Sequence, residues 1–245
     1  MTVTVRPLIV AEIGLNHDGN FDLAYELIRQ AKLAGADIAK FQFGWRCKSG
    51  EINQIDERRA QQLSDWCEEL DIELMASLIT EEGFALARGL GLARYKIASR
   101  TVVDNPALCE RILAEGKPTY ISLGMWEKPG FPFGPPDGVR VCYLYCRSKY
   151  PTYPEDLRDF PQEFRPEGYY GYSDHCHGIG ACLLAVARGA RYLEKHFTLN
   201  KTSPVIRDHV LSASPEELRL LVILAPELAR FVHVRPVASS ALATP

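Results

Sequence analysis

Two short apolar runs in this chain end on histidine: GYSDH, whose last residue is His175, and YLEKHF, which carries His196. Two neutral imidazoles at neighbouring strand ends can clamp one divalent cation and leave positions open for substrate oxygens, with a carboxylate such as Glu12 or Asp208 completing or orienting the site. Two other runs carry a lysine, Lys40 in IAKFQF and Lys96 in YKIAS. A partly buried ammonium needs a counter-charge, so a pair of them points to a bound phosphate or carboxylate. Schiff-base chemistry is the competing use, and it requires one lysine to lose its proton. Residues two apart on a strand share a face, which projects Lys40 with Gln42, Ser173 with His175, and Glu194 with His196. Glu12 in IVAEIG, Ser77 in LMASL and Ser122 in YISLGM complete a ring of polar strand ends. A lone histidine more often satisfies a local hydrogen bond, and a strand-end lysine can snorkel to solvent. Several such groups together argue for a site. Gly178 and Gly180 leave the first N–H groups of a following helix open to an anion. Cys176, between two histidines, is the thiol to test as a metal neighbour, and Asn16, His17 and Asp18 in NHDGN sit on a turn after the first strand.

Polar groups that end apolar strands are costly in a core and useful at the rim of a parallel barrel. Strand-like runs begin near Leu8, Ile38, Ile72, Arg94, Thr119, Val139, Tyr169 and Tyr192. They alternate with helical periodicity over residues 21–35, 56–71, 81–91, 105–116 and 179–190, and a last helix opens at Ser214 with a capping box to Glu217. This alternation predicts an α/β protein, a TIM (β/α)8 barrel. Residues 126–138, WEKPGFPFGPPDG, hold four prolines. The helix after strand 5 is therefore expected to be replaced by a Pro/Gly-rich loop, either a tolerated deletion or a segment over the pocket mouth. One barrel domain over residues 1–233 and a disordered tail over 234–245 are expected.

The 245 residues, 47% hydrophobic and 24% charged with a net charge of −3, have the balance of a soluble globular protein. No basic and aromatic cluster marks a nucleic-acid partner. The amino terminus suits neither a signal peptide nor a spanning helix, so a cytoplasmic location without membrane contact is expected. Seven cysteines without a C-x-x-C pair argue against a disulfide framework.

Read in order, AEIGLNHDGN, AKFQ, YKIAS, SLGM, the Tyr150–Pro151 pair, GYSDH, LEKHFTL and RDHVLSASPEEL resemble the N-acetylneuraminate (sialic acid) synthase family over nearly the whole chain. The resemblance implies a synthase that condenses phosphoenolpyruvate with an aldehyde sugar, releasing phosphate and forming a 2-keto acid. It implies His175 and His196 as ligands of a divalent metal, Mn²⁺ first, with Mg²⁺, Co²⁺ or Fe²⁺ as alternatives. Lys40, Ser77, Lys96, Ser99, Ser122 and Ser173 match positions that hold phosphoenolpyruvate; Glu12 matches a carboxylate near the reacting atoms; Gln42, Tyr150 and Asp208 match positions facing the sugar. Ser148 stands where the family usually has an asparagine, and Arg100 and Thr101 where it has a glycine and a glutamate; Arg207 is inserted before Asp208. The family also continues into a small antifreeze-like domain, which pairs subunits and supplies an arginine to the acceptor. The sequence here carries only the barrel, so closure by the Pro-rich loop or by Arg100, Arg147 or Arg207 is expected, with an acceptor of negative charge and a possible homodimer. Two rival functions are a metal-dependent aldolase using pyruvate and a non-catalytic barrel acting as a binding subunit.

Overall fold

The computed structural model describes residues 6–232; the tail expected over 234–245 falls outside them. Eight parallel strands, β1 Leu8–Gly14, β2 Ile38–Phe43, β3 Glu73–Leu78, β4 Tyr95–Ile97, β5 Thr119–Ser122, β6 Val141–Cys146, β7 Tyr169–Asp174 and β8 Tyr192–His196, close into a barrel in chain order. The helices are α1 Phe21–Ala34, α2 Glu57–Glu69, α3 Glu81–Gly89, α4 Ser99–Asp104, α5 Pro106–Ala114, α6 Gly180–Ala187 and α7 Pro215–Ala229.

Strand alternation divides the apolar residues into two sets. Outward-facing Ile9, Ala11, Ile13, Phe41, Phe43 and Leu193 pack beneath the helices in one large cluster. Inward-facing Val10, Ile38, Met75, Tyr120, Leu144 and Tyr192 form a separate plug inside the barrel, where the Tyr120 and Tyr192 rings stack at 4.2 Å. Burying each large side chain of the plug contributes about 1.5–3 kcal/mol. One step along each strand toward its C-terminal end, the inward residues become Glu12, Lys40, Ser77, Lys96, Ser122, Cys146, Ser173 and Glu194, all buried. Strand register sets Glu12 beside Lys40, Ser77 beside Lys96, Ser173 beside Glu194, and Glu12 beside His196. An apolar floor thus carries a polar layer, and the site sits on that layer.

The helices are ended by local chemistry. The Asn20 side chain accepts from the Asp22 and Leu23 N–H groups to start α1, and Gly35 ends it at φ 91°. Ser214 and Glu217 form the expected capping box on α7, with Pro215 at its first position. The short α4 was not expected, because its SRTVVD sequence is too brief to show a period and is cut off by Asn105 and Pro106.

No helix follows β5, as expected from the prolines. The intervening loop does not cover the pocket. Phe131 stacks on the outward Tyr143 at 4.3 Å and 12°, and the Phe133 N–H donates to the Tyr143 hydroxyl, so the loop covers the barrel wall that a helix would cover. A second unit departs from the pattern without having been anticipated: β6 is followed only by a 3-10 turn, Pro154–Leu157. Pro151, Pro154, Pro161 and Pro166 interrupt that stretch. Among the described residues no helix is long and apolar enough to cross a membrane.

Candidate active site

A cavity of about 270 Å³ opens at the C-terminal ends of the strands. It is lined by Glu12, Lys40, Gln42, Ser77, Lys96, Ser99, Ser122, Ser148, Tyr150, Ser173, His175 and Asp208, which are all the metal and substrate residues drawn from the family resemblance except His196. The His196 ring lies just behind, 5.3 Å from the His175 ring and 6.2 Å from that of Tyr150. A larger cavity of about 420 Å³, bounded by Phe164, Arg188 and Arg191, carries none of these groups and lies toward the start of β8. The chemistry-bearing side chains gather in the smaller one.

The charges on the cavity floor alternate. Lys40 Nζ is 2.5 Å from Glu12 Oε2 and 3.6 Å from Glu194 Oε2, and it donates to Ser77 Oγ at 2.8 Å. Lys96 Nζ is 3.8 Å from Glu194 Oε1 and donates to Ser122 Oγ at 2.8 Å. Ser173 and Tyr192 hydroxyls each donate to Glu194 at 2.9 Å. Burial alone would raise the Glu194 carboxyl, but the two ammonium groups and the two hydroxyls bring it down to about 2. Burial lowers Lys96 below its ordinary value, and neighbouring Lys40 adds to this against the attraction of Glu194. Burial acts the same way on Lys40, yet the Glu12 and Glu194 carboxylates outweigh it and raise that ammonium. Glu12 is raised by burial, with Lys40 opposing and Glu194 reinforcing. Gln42 Nε2 donates to Glu12 Oε1 at 2.9 Å, while Oε2 meets Lys40 only as an ion contact without hydrogen-bond alignment. Glu12 therefore offers the cavity a buried acceptor held above the usual carboxylate range.

The two histidines suit a metal ion. His175 Nδ1 donates to the Arg147 carbonyl at 2.6 Å, which fixes the ring and leaves Nε2 as a lone-pair donor. His196 Nδ1 is buried without a partner, and burial lowers that imidazole to about 3, so it is neutral as a ligand must be. His175 shifts the other way: burial lowers it, but the Cys146 sulfur as thiolate, 3.8 Å from Nδ1, and the Arg147 carbonyl raise it more. Ring nitrogens about 2.1 Å from one ion place imidazole centroids roughly 5 Å apart, close to what is seen. Neither candidate carboxylate completes the set: Glu12 is engaged by Lys40 and Gln42, and Asp208 Oδ1 accepts from Arg207 Nε at 3.3 Å. Among the described residues no three His, Cys, Asp or Glu side chains converge as a metal cage. The donors on offer to an ion here are the two imidazoles.

Several expectations are corrected. Arg147 does not reach the cavity; its guanidinium is held by Asp159 and by the Asp156 carbonyl on the outer side of the loop. Arg100 and Arg207 do line the mouth, Arg100 over Trp45 at 5.8 Å and Arg207 over Tyr150 at 4.1 Å. Cys176 turns away from the histidines to Tyr172, 3.6 Å from its hydroxyl, and Cys146 is the thiol beside His175. Gly178 and Gly180 do not line the cavity. The NHDGN turn ties loops together: Asn16 donates to the Phe197 carbonyl and Ser212 Oγ at 2.9 Å, His17 pairs with Asn53, and Asp18 accepts from His209. Glu194 was missed as a site residue, although its two-residue spacing from His196 was the signal for it.

Residues 44–230 match the NeuB family. The chain belongs to that family. It is 34% identical to human N-acetylneuraminate-9-phosphate synthase, over 87% of this chain and 68% of that one. It is 31% identical to N,N'-diacetyllegionaminic acid synthase of Legionella pneumophila, over 87% of this chain and 70% of the relative. Among solved NeuB-like barrels, the N-acetylneuraminic acid (sialic acid) synthetase of Leptospira borgpetersenii superimposes with a TM-score of 0.80 at 26% identity, covering 96% of this chain and 89% of that one.

Proposed function

We propose that this NeuB-family barrel is a metal-dependent synthase that joins phosphoenolpyruvate to an aldehyde sugar or sugar-like acceptor, releasing phosphate and leaving a 2-keto acid. The observation that carries this reading is the pair of buried ammonium groups, Lys40 and Lys96, sharing one small cavity with the His175 imidazole, with the His196 ring 5.3 Å behind it. Each ammonium group with its neighbouring serine gives a small ligand one anchor, so a molecule with two separate anionic groups suits this floor. Lys96 with Ser122 and Lys40 with Ser77 would anchor its phosphate and carboxylate through charge-assisted bonds. His175 and His196 would hold the divalent ion, which supplies Lewis-acid polarisation of the aldehyde oxygen when bound. C3 of the enol forms a bond to the aldehyde carbon, the aldehyde oxygen takes a proton, water adds at C2 with loss of one proton, and the new C2 hydroxyl becomes the keto oxygen as the bond from C2 to the phosphate oxygen breaks and phosphate leaves with the remaining proton. Glu12 would orient that water and accept its proton, a role that its raised pKa supports. Manganese is the ion proposed first.

The acceptor is proposed to be anionic. Arg100 and Arg207 border the mouth and Asp208 is the acidic residue there, so the rim is cationic on balance. Phosphate release should require both phosphoenolpyruvate and an acceptor, stop with chelator and return with Mn²⁺. Phosphorylated or carboxylated aldehydes should outperform neutral N-acetylmannosamine, and the reverse order would remove the anionic-acceptor assignment. The lowered pKa of Lys96 favours one second reading, an aldolase that forms a Schiff base with pyruvate. Borohydride trapping of pyruvate on Lys96 would decide for it.

A further inference from the structure

Behind the two histidines, on the outer face of the strands, lies an ion pair that the proposed reaction does not use. Lys195 and Asp174 are both fully buried, with Nζ 2.9 Å from Oδ2. Each immediately precedes one of the histidines in sequence, and the β7–β8 register sets them side by side. Strand alternation sends this pair outward and the histidines inward. Lys195 Nζ also donates to the Cys176 carbonyl. Asp174 Oδ1 accepts from the Cys176 N–H and from the Tyr172 hydroxyl, each at 2.8 Å. One ammonium on β8 therefore grips the residue before His175 and the residue after it, while its own next neighbour is His196. On the inner side His175 is held by the Arg147 carbonyl, and its carbonyl accepts from the Thr152 N–H at 2.9 Å.

Stability does not explain charges in such a place. Desolvating both partners offsets most of the Coulombic gain, and a well-packed apolar pair of similar volume often serves as well. An apolar pair could not supply directed bonds across β7 and β8 at the point where β7 leaves the sheet. We propose that Lys195 and Asp174 are positioning residues for the histidine pair, setting the spacing at which both imidazoles reach one divalent cation. The inference rests on the metal reading of His175 and His196.

The test titrates Mn²⁺ into the full chain, following the free-ion electron paramagnetic resonance signal, for wild type, Lys195→Met and the double variant Asp174→Asn/Lys195→Met. Phosphoenolpyruvate affinity without metal is measured in parallel by calorimetry, and folding by circular dichroism. Folded variants should bind Mn²⁺ about 10–100-fold more weakly, as loss of an outer support for a metal ligand typically does. Their phosphoenolpyruvate affinity, set by Lys40 and Lys96, should stay within about twofold. A folded variant with wild-type Mn²⁺ affinity would overturn the inference, and so would equal weakening of both ligands. Loss of folding in both variants would also overturn it, because the pair would then hold up the barrel. Wild type that binds no Mn²⁺ would remove the metal reading and this inference together, an outcome the control separates from failure of the variants alone.

Discussion

Replacing Glu194 with glutamine should destabilise the ligand-free barrel by about 3 kcal/mol and make its stability depend on phosphoenolpyruvate. Glu194 lies 3.6 Å from Lys40 and 3.8 Å from Lys96, and these ammonium groups, with the Ser173 and Tyr192 hydroxyls, hold it at about 2 against a burial effect that would raise it from 4.5. That difference, at about 1.36 kcal/mol per pH unit, amounts to about 3 kcal/mol. Because the folded-state value is depressed, the stabilisation is complete above pH 4.5 and lost as pH falls toward 2. Urea unfolding at pH 7 should therefore separate wild type from Glu194→Gln, and the gap should narrow on acidification through that window. Phosphoenolpyruvate should restore stability to the variant more than to wild type, since its negative charge replaces the one removed. Equal urea midpoints at pH 7 would refute the reasoning, for they would mean that the two lysines do not rely on Glu194 as their counter-charge.

Other outcomes follow from the same geometry. Lys96→Met should raise the KM for phosphoenolpyruvate by at least about 30-fold in a phosphate-release assay while leaving Mn²⁺ affinity unchanged, since the loss is one charge-assisted anchor. Arg207→Ala should raise the KM for an anionic acceptor about tenfold, whereas Arg147→Ala, whose guanidinium is bound to Asp159, should not change it. Gly171→Ala would set a Cβ 2.2 Å from the Tyr192 carbonyl oxygen, so a thermal melt should show a loss of several kcal/mol or no folded protein.

Much of this was legible in the residues because strand periodicity ties sequence to geometry. Lys40, Lys96, Ser122 and His175 could be placed around one cavity once their runs were read as parallel strands, since a two-residue period decides which side chains face inward. Glu194 obeyed the same period and shared a face with His196, but nothing in its spacing marked it as the counter-charge of Lys40 and Lys96. Loops were less readable. Arg147 and Arg207 look alike as exposed cations in sequence, and only tertiary placement shows that Asp159 holds one while Tyr150 and Asp208 hold the other at the mouth. Cys176 flanks His175, yet the chain turns at the end of β7 and the thiol that meets the imidazole is Cys146 from β6. The missing helix after β6 was written in four prolines spread over residues 151–166, but they were too far apart to read as one breaker.

The central claim is that His175, His196, Lys40 and Lys96 form one site. A crystal of the full chain soaked with phosphoenolpyruvate and Mn²⁺, with anomalous data at the manganese edge, tests it most directly. The expected result is one manganese peak in contact with both imidazoles and an enol phosphate ester anchored on both ammonium groups in the same cavity. Manganese bound away from either histidine, or phosphoenolpyruvate seated outside the ring of strand ends, would contradict it.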